Sequence, residues 1–271
     1  MTFNPLNHPV YELLPSRTHK KLQSPVSEDK LTWDCFFGLK RADALGSVLA
    51  DALNIPREEL VGPHLILWGW EIHESSASKW SPLSGVLSAL ENYADGKPEG
   101  QKTEPDAIVF TERSIVIIEC KRKSSLGRCS RFGKSECPES HISTRKRPYC
   151  QYWARGLDQL VTFPKPTPME LIAECDSYYQ LMRNYMVGLR LSELLRLDLH
   201  LLVVKARNLP DYRKTEAEVK DFNSRTKVAP KYSLVCWNDL RFARGVDMLA
   251  AYASELYCVV PESHRVGPGF Q

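Results

Sequence analysis

The sequence predicts an α/β domain in which helices flank a mixed β-sheet. Two short, β-branched segments, 106–110 and 115–121, are separated by only four residues and indicate a β-hairpin. Helical patterns lie before and after this pair, and further strand-like segments follow at 200–205 and 232–237. Strands that alternate with helices favour a sheet covered by helices over an all-helical or an all-β fold.

The first half of the chain is divided by helix-breaking residues. Four prolines before residue 30 predict an irregular arm over residues 1–30. Apolar residues at helical spacing then predict a helical region over 31–53. The apolar segment 64–73 fits either a strand or a buried helix, because its periodicity does not separate the two. Ser81 as a cap and Pro82 at the first helical position predict a helix over 82–93.

The second half is predicted to contain a helix over 173–197 and a closing helix over 246–256. Together these elements predict two regions. Residues 1–60 form an N-terminal arm and helical region, and residues 61–271 form one domain with an inserted basic segment at about 122–155.

Composition excludes several classes of protein. Hydrophobic residues make up 43% and charged residues 25% of the chain, which is typical of a globular protein with a core rather than of a disordered one. No apolar run of roughly 18 residues predicts a membrane span, and the first thirty residues lack the apolar core of a signal peptide. We therefore expect a cytoplasmic protein whose eight cysteines are free thiols or metal ligands.

Positive charge is concentrated in one segment. Residues 121–155 contain ten basic and two acidic residues, a local charge of +8 that leaves −5 on the rest of the chain. Such a segment suits a polyanionic partner, although a solvated loop has the same composition. The residues predicted to contact nucleic acid are Lys123, Arg128, Arg131, Arg145, Lys146, Arg147 and Arg155. The aromatic residues Tyr149, Tyr152 and Trp153, next to Arg145, Lys146 and Arg147, suit either base contact or packing.

Three polar residues stand where the hairpin predicts a shared site. Side chains alternate along a strand, so Glu119 and Lys121 point to one side and Cys120 to the other. A partner strand beginning at Asp106 places a second carboxylate beside Glu119. Carboxylates and water suit Mg²⁺, and a nearby lysine can orient a water or stabilise charge on phosphorus. The alternative is a surface hairpin with charges at its tip.

Pro105-Asp106, a strand, and then Glu119-Cys120-Lys121 resemble the PD-(D/E)XK nuclease superfamily, which includes restriction endonucleases. The resemblance implies a restriction endonuclease-like core of helix, three strands, helix and strand. It also implies that Asp106 and Glu119 bind Mg²⁺ or Mn²⁺ and that Lys121 assists the attacking water. Residues 179–184 and the cysteine-bearing segment are also similar to a bacterial group of proteins classed as restriction endonucleases.

Two further residues are expected at the site because of this resemblance. Many superfamily members carry a glutamine on the helix that follows the motif strands, which here is Gln180; a solvent-facing role is the alternative. Many also carry an upstream glutamate on the first core helix. Glu71, Glu74 and Glu91 are the candidates, and Glu91 is preferred because it lies on the predicted helix nearest Asp106.

Cysteines in the basic segment suggest a second metal. Cys129, Cys137 and Cys150, with His141 between them, could hold a structural Zn²⁺. An iron–sulfur cluster is a second alternative, as some nucleases of the superfamily have one, with Cys35 or Cys175 as a fourth ligand. The third alternative is that these residues bind no metal.

The expected activity is metal-dependent hydrolysis of DNA, with a restriction-like or defence role. One alternative is a nucleic-acid-binding module that has lost its activity, and another is an RNA-directed nuclease. A homodimer is a further expectation, because restriction enzymes of this kind often dimerise to cut both strands.

Overall fold

The structure is a computed structural model. It describes residues 9–14, 19, 22–23, 27–94, 104–122, 124–129, 132, 137, 139, 150–166, 173–206, 212–237 and 240, with the backbone alone for 88–94 and 151. The described α-helices are α1 (Pro9–Glu12), α2 (Glu28–Arg41), α3 (Leu45–Leu53), α4 (Ser81–Ala94), α5 (Gln151–Ala154), α6 (Leu157–Leu160), α7 (Glu174–Ser177), α8 (Tyr179–Leu195) and α9 (Tyr212–Arg225). The described strands are β1 (His64–Leu67), β2 (Trp70–Ile72), β3 (Ala77–Lys79), β4 (Ala107–Phe110), β5 (Ser114–Lys121), β6 (Asp198–Lys205) and β7 (Tyr232–Cys236).

These strands form one mixed, seven-stranded sheet in the order β3-β2-β1-β4-β5-β6-β7. Pairing is antiparallel from β3 to β5 and parallel from β5 through β6 to β7. The predicted hairpin is confirmed as β4 and β5, and the predicted mixed sheet flanked by helices is confirmed as the coarse architecture.

Helices cover both faces of the sheet. All eight residues of β5 are buried, as expected for a central strand with covered faces. Ile115 and Ile117 join a core that includes side chains of α4, α8 and α9. Val116 and Ile118 join the opposite core, which includes side chains of α2 and α3. The alternation of side chains along β5 therefore divides the apolar residues between two layers of helices.

Several elements differ in detail from the sequence prediction. The region 31–53 is two helices, because the chain turns at Asp43, whose φ is 52°. The ambiguous segment 64–73 contains β1 and β2, joined at Gly69 with φ 82°. The helix predicted from Pro82 begins one residue earlier, at Ser81. The helix predicted over 173–197 is interrupted at Tyr178, between α7 and α8.

Several described elements were missed, among them the four-residue helices α1, α5 and α6, and α1 lies within the arm predicted to be irregular. Strand β3 is three residues long and lies at the edge of the sheet, so it has little apolar pattern to detect. Helix α9 is largely polar, and its buried side chains are only Thr215, Val219 and Phe222. The helix predicted over 246–256 lies outside the described residues. In the described part of the chain, no helix combines the length and apolarity needed to cross a membrane.

Candidate active site

The hairpin brings Asp106 and Glu119 together, as predicted. Ala107 at the start of β4 pairs with Ile118 of β5, so the preceding Asp106 comes beside the following Glu119. The Asp106 Oδ2 accepts a hydrogen bond of 2.8 Å from the backbone N–H of Cys120. This bond holds Asp106, just before the first residue of β4, next to Glu119 and Lys121 of β5.

Glu119 is a buried carboxylate with three cationic or amide partners. It is 1% exposed, and its Oε1 lies 2.7 Å from Lys121 Nζ. Its Oε2 accepts a hydrogen bond of 2.6 Å from Asn184 Nδ2 and lies 3.4 Å from Arg183 Nη2. Burial alone would raise the pKa of Glu119, but Lys121 and Arg183 outweigh it and lower that pKa. The group therefore stays ionised within the core.

The pKa of Asp106 shifts in the opposite direction, upward. Asp106 is partly exposed, yet burial of its carboxylate, and then the charge of Glu119, raises its pKa to about 8. The attraction of Lys121 and the hydrogen bond from Cys120 act against this rise without cancelling it. The negative charges of the two neighbouring carboxylates repel each other. A divalent cation bound between them would offset this repulsion, and their oxygens are suitable ligands for it.

Lys121 sits between three carboxylates. Burial alone would lower the pKa of Lys121, but the charges of Glu119, Asp106 and Glu28 outweigh burial. The net shift of the pKa is upward, so the ammonium is charged. Its Nζ lies 3.7 Å from Glu28 Oε1. The Trp237 Nε1 donates a hydrogen bond of 3.1 Å to the Lys121 carbonyl. This last contact anchors the end of β5 that carries the site.

Glu28 is a site residue that sequence reasoning missed. It begins α2, whose N-cap Ser27 accepts a hydrogen bond from the backbone N–H of Asp29. The Glu28 Oε2 accepts hydrogen bonds of 2.6 Å from Arg122 N and from Ser124 Oγ. Asp29 also acts electrostatically on Asp106. The cap followed by two acidic residues is a helix-start signal that could have extended the predicted helix back to Glu28.

The upstream glutamate expected from the resemblance therefore has a new candidate. Glu91 lies in α4, but its side chain lies outside the described residues, so that expectation stays a prediction. Glu71 lies 2.8 Å from His64 Nδ1, on the β1–β2 hairpin. Glu28, which lies upstream of the hairpin, is placed against Lys121.

Gln180 supports the loop after β5. Its Oε1 accepts a hydrogen bond from the backbone N–H of Gly127. Arg183 and Asn184 lie one turn further along α8, and their side chains contact Glu119. That Gln180 touches the site or the DNA backbone stays a prediction, while the helix face that it shares with Arg183 and Asn184 points at the site.

The basic segment is described only in part. Arg128 is 65% exposed at its side chain and forms an ion pair with Asp176, and Arg155 is exposed on the surface. Tyr152 and Trp153 are buried in the core beside α8, which favours packing over base contact. Predicted residues outside the described part are Lys123, Arg131, His141, Arg145, Lys146, Arg147 and Tyr149.

The predicted zinc ligands Cys129, Cys137 and Cys150 form no disulfide with another described cysteine. Within the described residues, no three histidine, cysteine, aspartate or glutamate side chains are already arranged closely enough to hold a metal ion. The carboxylates at the end of β5 are thus neighbours held by protein partners, not a closed coordination sphere.

Comparison with known proteins adds no relative to these observations. No protein-family model, no curated protein and no solved structure matches this chain. The function must therefore be argued from the site itself.

Proposed function

We propose that this chain is a metal-dependent nuclease that hydrolyses DNA phosphodiester bonds, with a restriction-like or defence role. The observation that carries the proposal is the meeting of Asp106, Glu119 and Lys121 at one end of a β-hairpin, with both carboxylates in contact with buried partners. Burying charges costs free energy even when they are paired and hydrogen-bonded. A role in holding a divalent cation and a scissile phosphate would account for such a charged cluster in the core.

The order of elements around the site supports a restriction endonuclease-like core. Helix α2 precedes β1, β4 and β5, in which β4 lies between the other two and is antiparallel to both; α8 and then β6, which is parallel to β5, come later in the chain. This is the helix, three strands, helix and strand order that the resemblance to the PD-(D/E)XK superfamily implies. Strands β2, β3 and β7 extend that core at its two edges.

The donor set fits Mg²⁺ or Mn²⁺. Asp106 and Glu119 would hold the ion, and Glu28 lies close enough to Lys121 to contribute to the same acidic cluster. A bound divalent cation supplies Lewis acidity and a more acidic water. Lys121, charged at every working pH, can hold a water for attack or offset charge on the phosphate oxygens. Asn184 and Arg183 hold Glu119 in place for this chemistry.

DNA is the proposed substrate because the basic segment follows the catalytic strand directly. Phosphate contacts by its arginines and lysines would give binding that weakens steeply with salt. An RNA-directed enzyme would use the same catalytic residues, so the substrate classes are separated by experiment. A binding module without activity is the alternative from another class.

Incubation of supercoiled plasmid with the purified protein and Mg²⁺ or Mn²⁺ tests the proposal. We expect nicking or linearisation that EDTA abolishes and that Lys121→Ala lowers by at least about 100-fold, the lower range for losing a group that stabilises the transition state. Lys79→Ala, which removes an exposed lysine on the edge strand β3, should cut as the wild type does. Circular dichroism of each variant checks that it is folded.

Cleavage that persists in folded Lys121→Ala would contradict the assigned site. Parallel incubations with linear DNA, single-stranded DNA and RNA distinguish the substrate classes. Binding to DNA without cleavage of any of these substrates would favour the inactive binding module and overturn the proposal.

A further inference from the structure

Four cysteines from distant parts of the sequence lie together on the side of the molecule covered by α8. Cys129, Cys137 and Cys150 belong to the segment after β5, and Cys175 belongs to α7. The Cys175 thiol lies within electrostatic range of the other three, and the Cys150 thiol lies within range of Cys129 and Cys137. We call these four residues the thiol cluster.

Two hydrogen bonds from cysteine backbones bring these regions together in two pairs. The Cys129 N–H donates to Asp176 Oδ1 at 2.7 Å, and Asp176 follows Cys175 in α7. The Cys150 N–H donates to Glu139 Oε1 at 2.8 Å, and Glu139 lies two residues after Cys137. Both carboxylates are buried. Each therefore ties the backbone of one cysteine to the neighbourhood of another.

The thiol cluster lies at the edge of the core. Cys129, Cys150 and Cys175 pack against the core beside α8, and Cys137 is 7% exposed. Four cysteines that come together from distant parts of the chain without a disulfide, one buried and three half-buried, suit a thiophilic metal.

We propose that Cys129, Cys137, Cys150 and Cys175 bind a structural Zn²⁺ ion as four thiolates. The thiols are neighbours without a closed arrangement, and zinc would draw them to the Zn–S distance of about 2.3 Å. Each Zn–S bond forms as the thiol releases its proton to solvent, and no electron is transferred. Cys175 takes the fourth position, so His141 is not needed as a ligand.

Such an ion would fasten the segment after the catalytic strand to α7. That segment already contacts the core near the site. The Lys205 Nζ donates a hydrogen bond of 2.7 Å to the Ser124 carbonyl, and the Gly127 backbone N–H donates one to Gln180 Oε1. The proposal concerns metal content, so it stands independently of the proposed nuclease activity.

Metal analysis of the full chain, purified without chelator, tests the proposal. We expect about one zinc ion per chain in the wild type and less than half that content in Cys175→Ala. The matched control is Cys236→Ala, which removes a buried cysteine of β7 outside the thiol cluster and should keep its zinc. Should Cys175→Ala fail to fold, X-ray absorption at the zinc edge of the wild type should show four sulfur neighbours.

Three results would overturn the zinc assignment. One is a wild-type protein that holds no zinc after reconstitution with the metal. Another is a zinc shell of three sulfurs and one nitrogen, which would restore a histidine as the fourth ligand. The third is iron with acid-labile sulfide, which would assign an iron–sulfur cluster to these thiolates.

Discussion

Asp106 is held in surroundings that disfavour its charge. Burial and the charge of Glu119 raise its pKa from 3.8 to about 8. Between these values the folded protein binds a proton that the unfolded chain has released, so the stability that depends on this group falls as the pH rises through this window. Below about pH 4 the carboxyl is neutral in both states and the penalty vanishes. The proposed cation would offset the penalty at neutral pH and above.

Asp106→Asn should therefore stabilise the metal-free protein while abolishing cleavage. The amide keeps an oxygen that can accept from Cys120 and removes the charge. In EDTA at pH 8 we expect Tm to rise on the order of 5 °C, since 1 kcal/mol shifts Tm by about 2–4 °C in proteins of nearly this size. At pH 5 the gain should shrink. Equal gains at both pH values, measured by calorimetry, would show that the charge of Asp106 is not the cause.

At the scale of the elements, the first residue of α2, Glu28, lies beside the end of β5. Glu28 accepts hydrogen bonds from a backbone N–H and a hydroxyl of the segment after β5, and also faces Lys121. A carboxamide in its place can still accept these hydrogen bonds, but it carries no charge. Substitution of Glu28 by glutamine therefore separates two roles: hydrogen bonding to the segment after β5, and the negative charge that would help to bind the cation.

Glu28→Gln should weaken the response of cleavage to Mg²⁺ by about 10–100-fold in the concentration that gives half-maximal rate, the range for residues that support a metal ligand set. Tm should change little. Glu193→Gln, which removes an exposed carboxylate paired with Arg190 on α8, is the matched control and should leave the Mg²⁺ response unchanged. A Glu28→Gln protein with an unchanged Mg²⁺ response would limit Glu28 to fixing the loop.

How much of the site was predictable depends on how locally it is encoded. Asp106 and Glu119 are joined by one short hairpin, so the strand pattern alone brings them together. Glu28 bonds to a residue 94 positions away, and no periodicity in the sequence carries that relation. The same holds for Cys175, whose neighbours lie in a segment without regular apolar spacing. Sequence patterns predicted the central sheet, whereas contacts between distant elements required the structure.

At the scale of the whole molecule, the helices within residues 1–60 share a core with the sheet. Phe36 of α2 is fully buried, and its ring lies 5.9 Å from that of Trp237, which follows β7. Trp237 in turn bonds to Lys121 at the site. The division at residue 60 that the sequence predicts would therefore fall inside one packed layer, and the two regions should unfold together.

Phe36→Ala tests this cooperativity. Removing a buried phenylalanine should lower the free energy of unfolding by about 3–5 kcal/mol, and the loss should appear in one transition. Urea unfolding followed by tryptophan fluorescence and by far-ultraviolet circular dichroism should give coincident curves for both proteins. Leu194→Ala, at an exposed position of α8, should stay within about 0.5 kcal/mol of the wild type. If Phe36→Ala instead split the unfolding into two transitions, residues 1–60 would be an independent unit, and Glu28 would reach the site only through a separable domain.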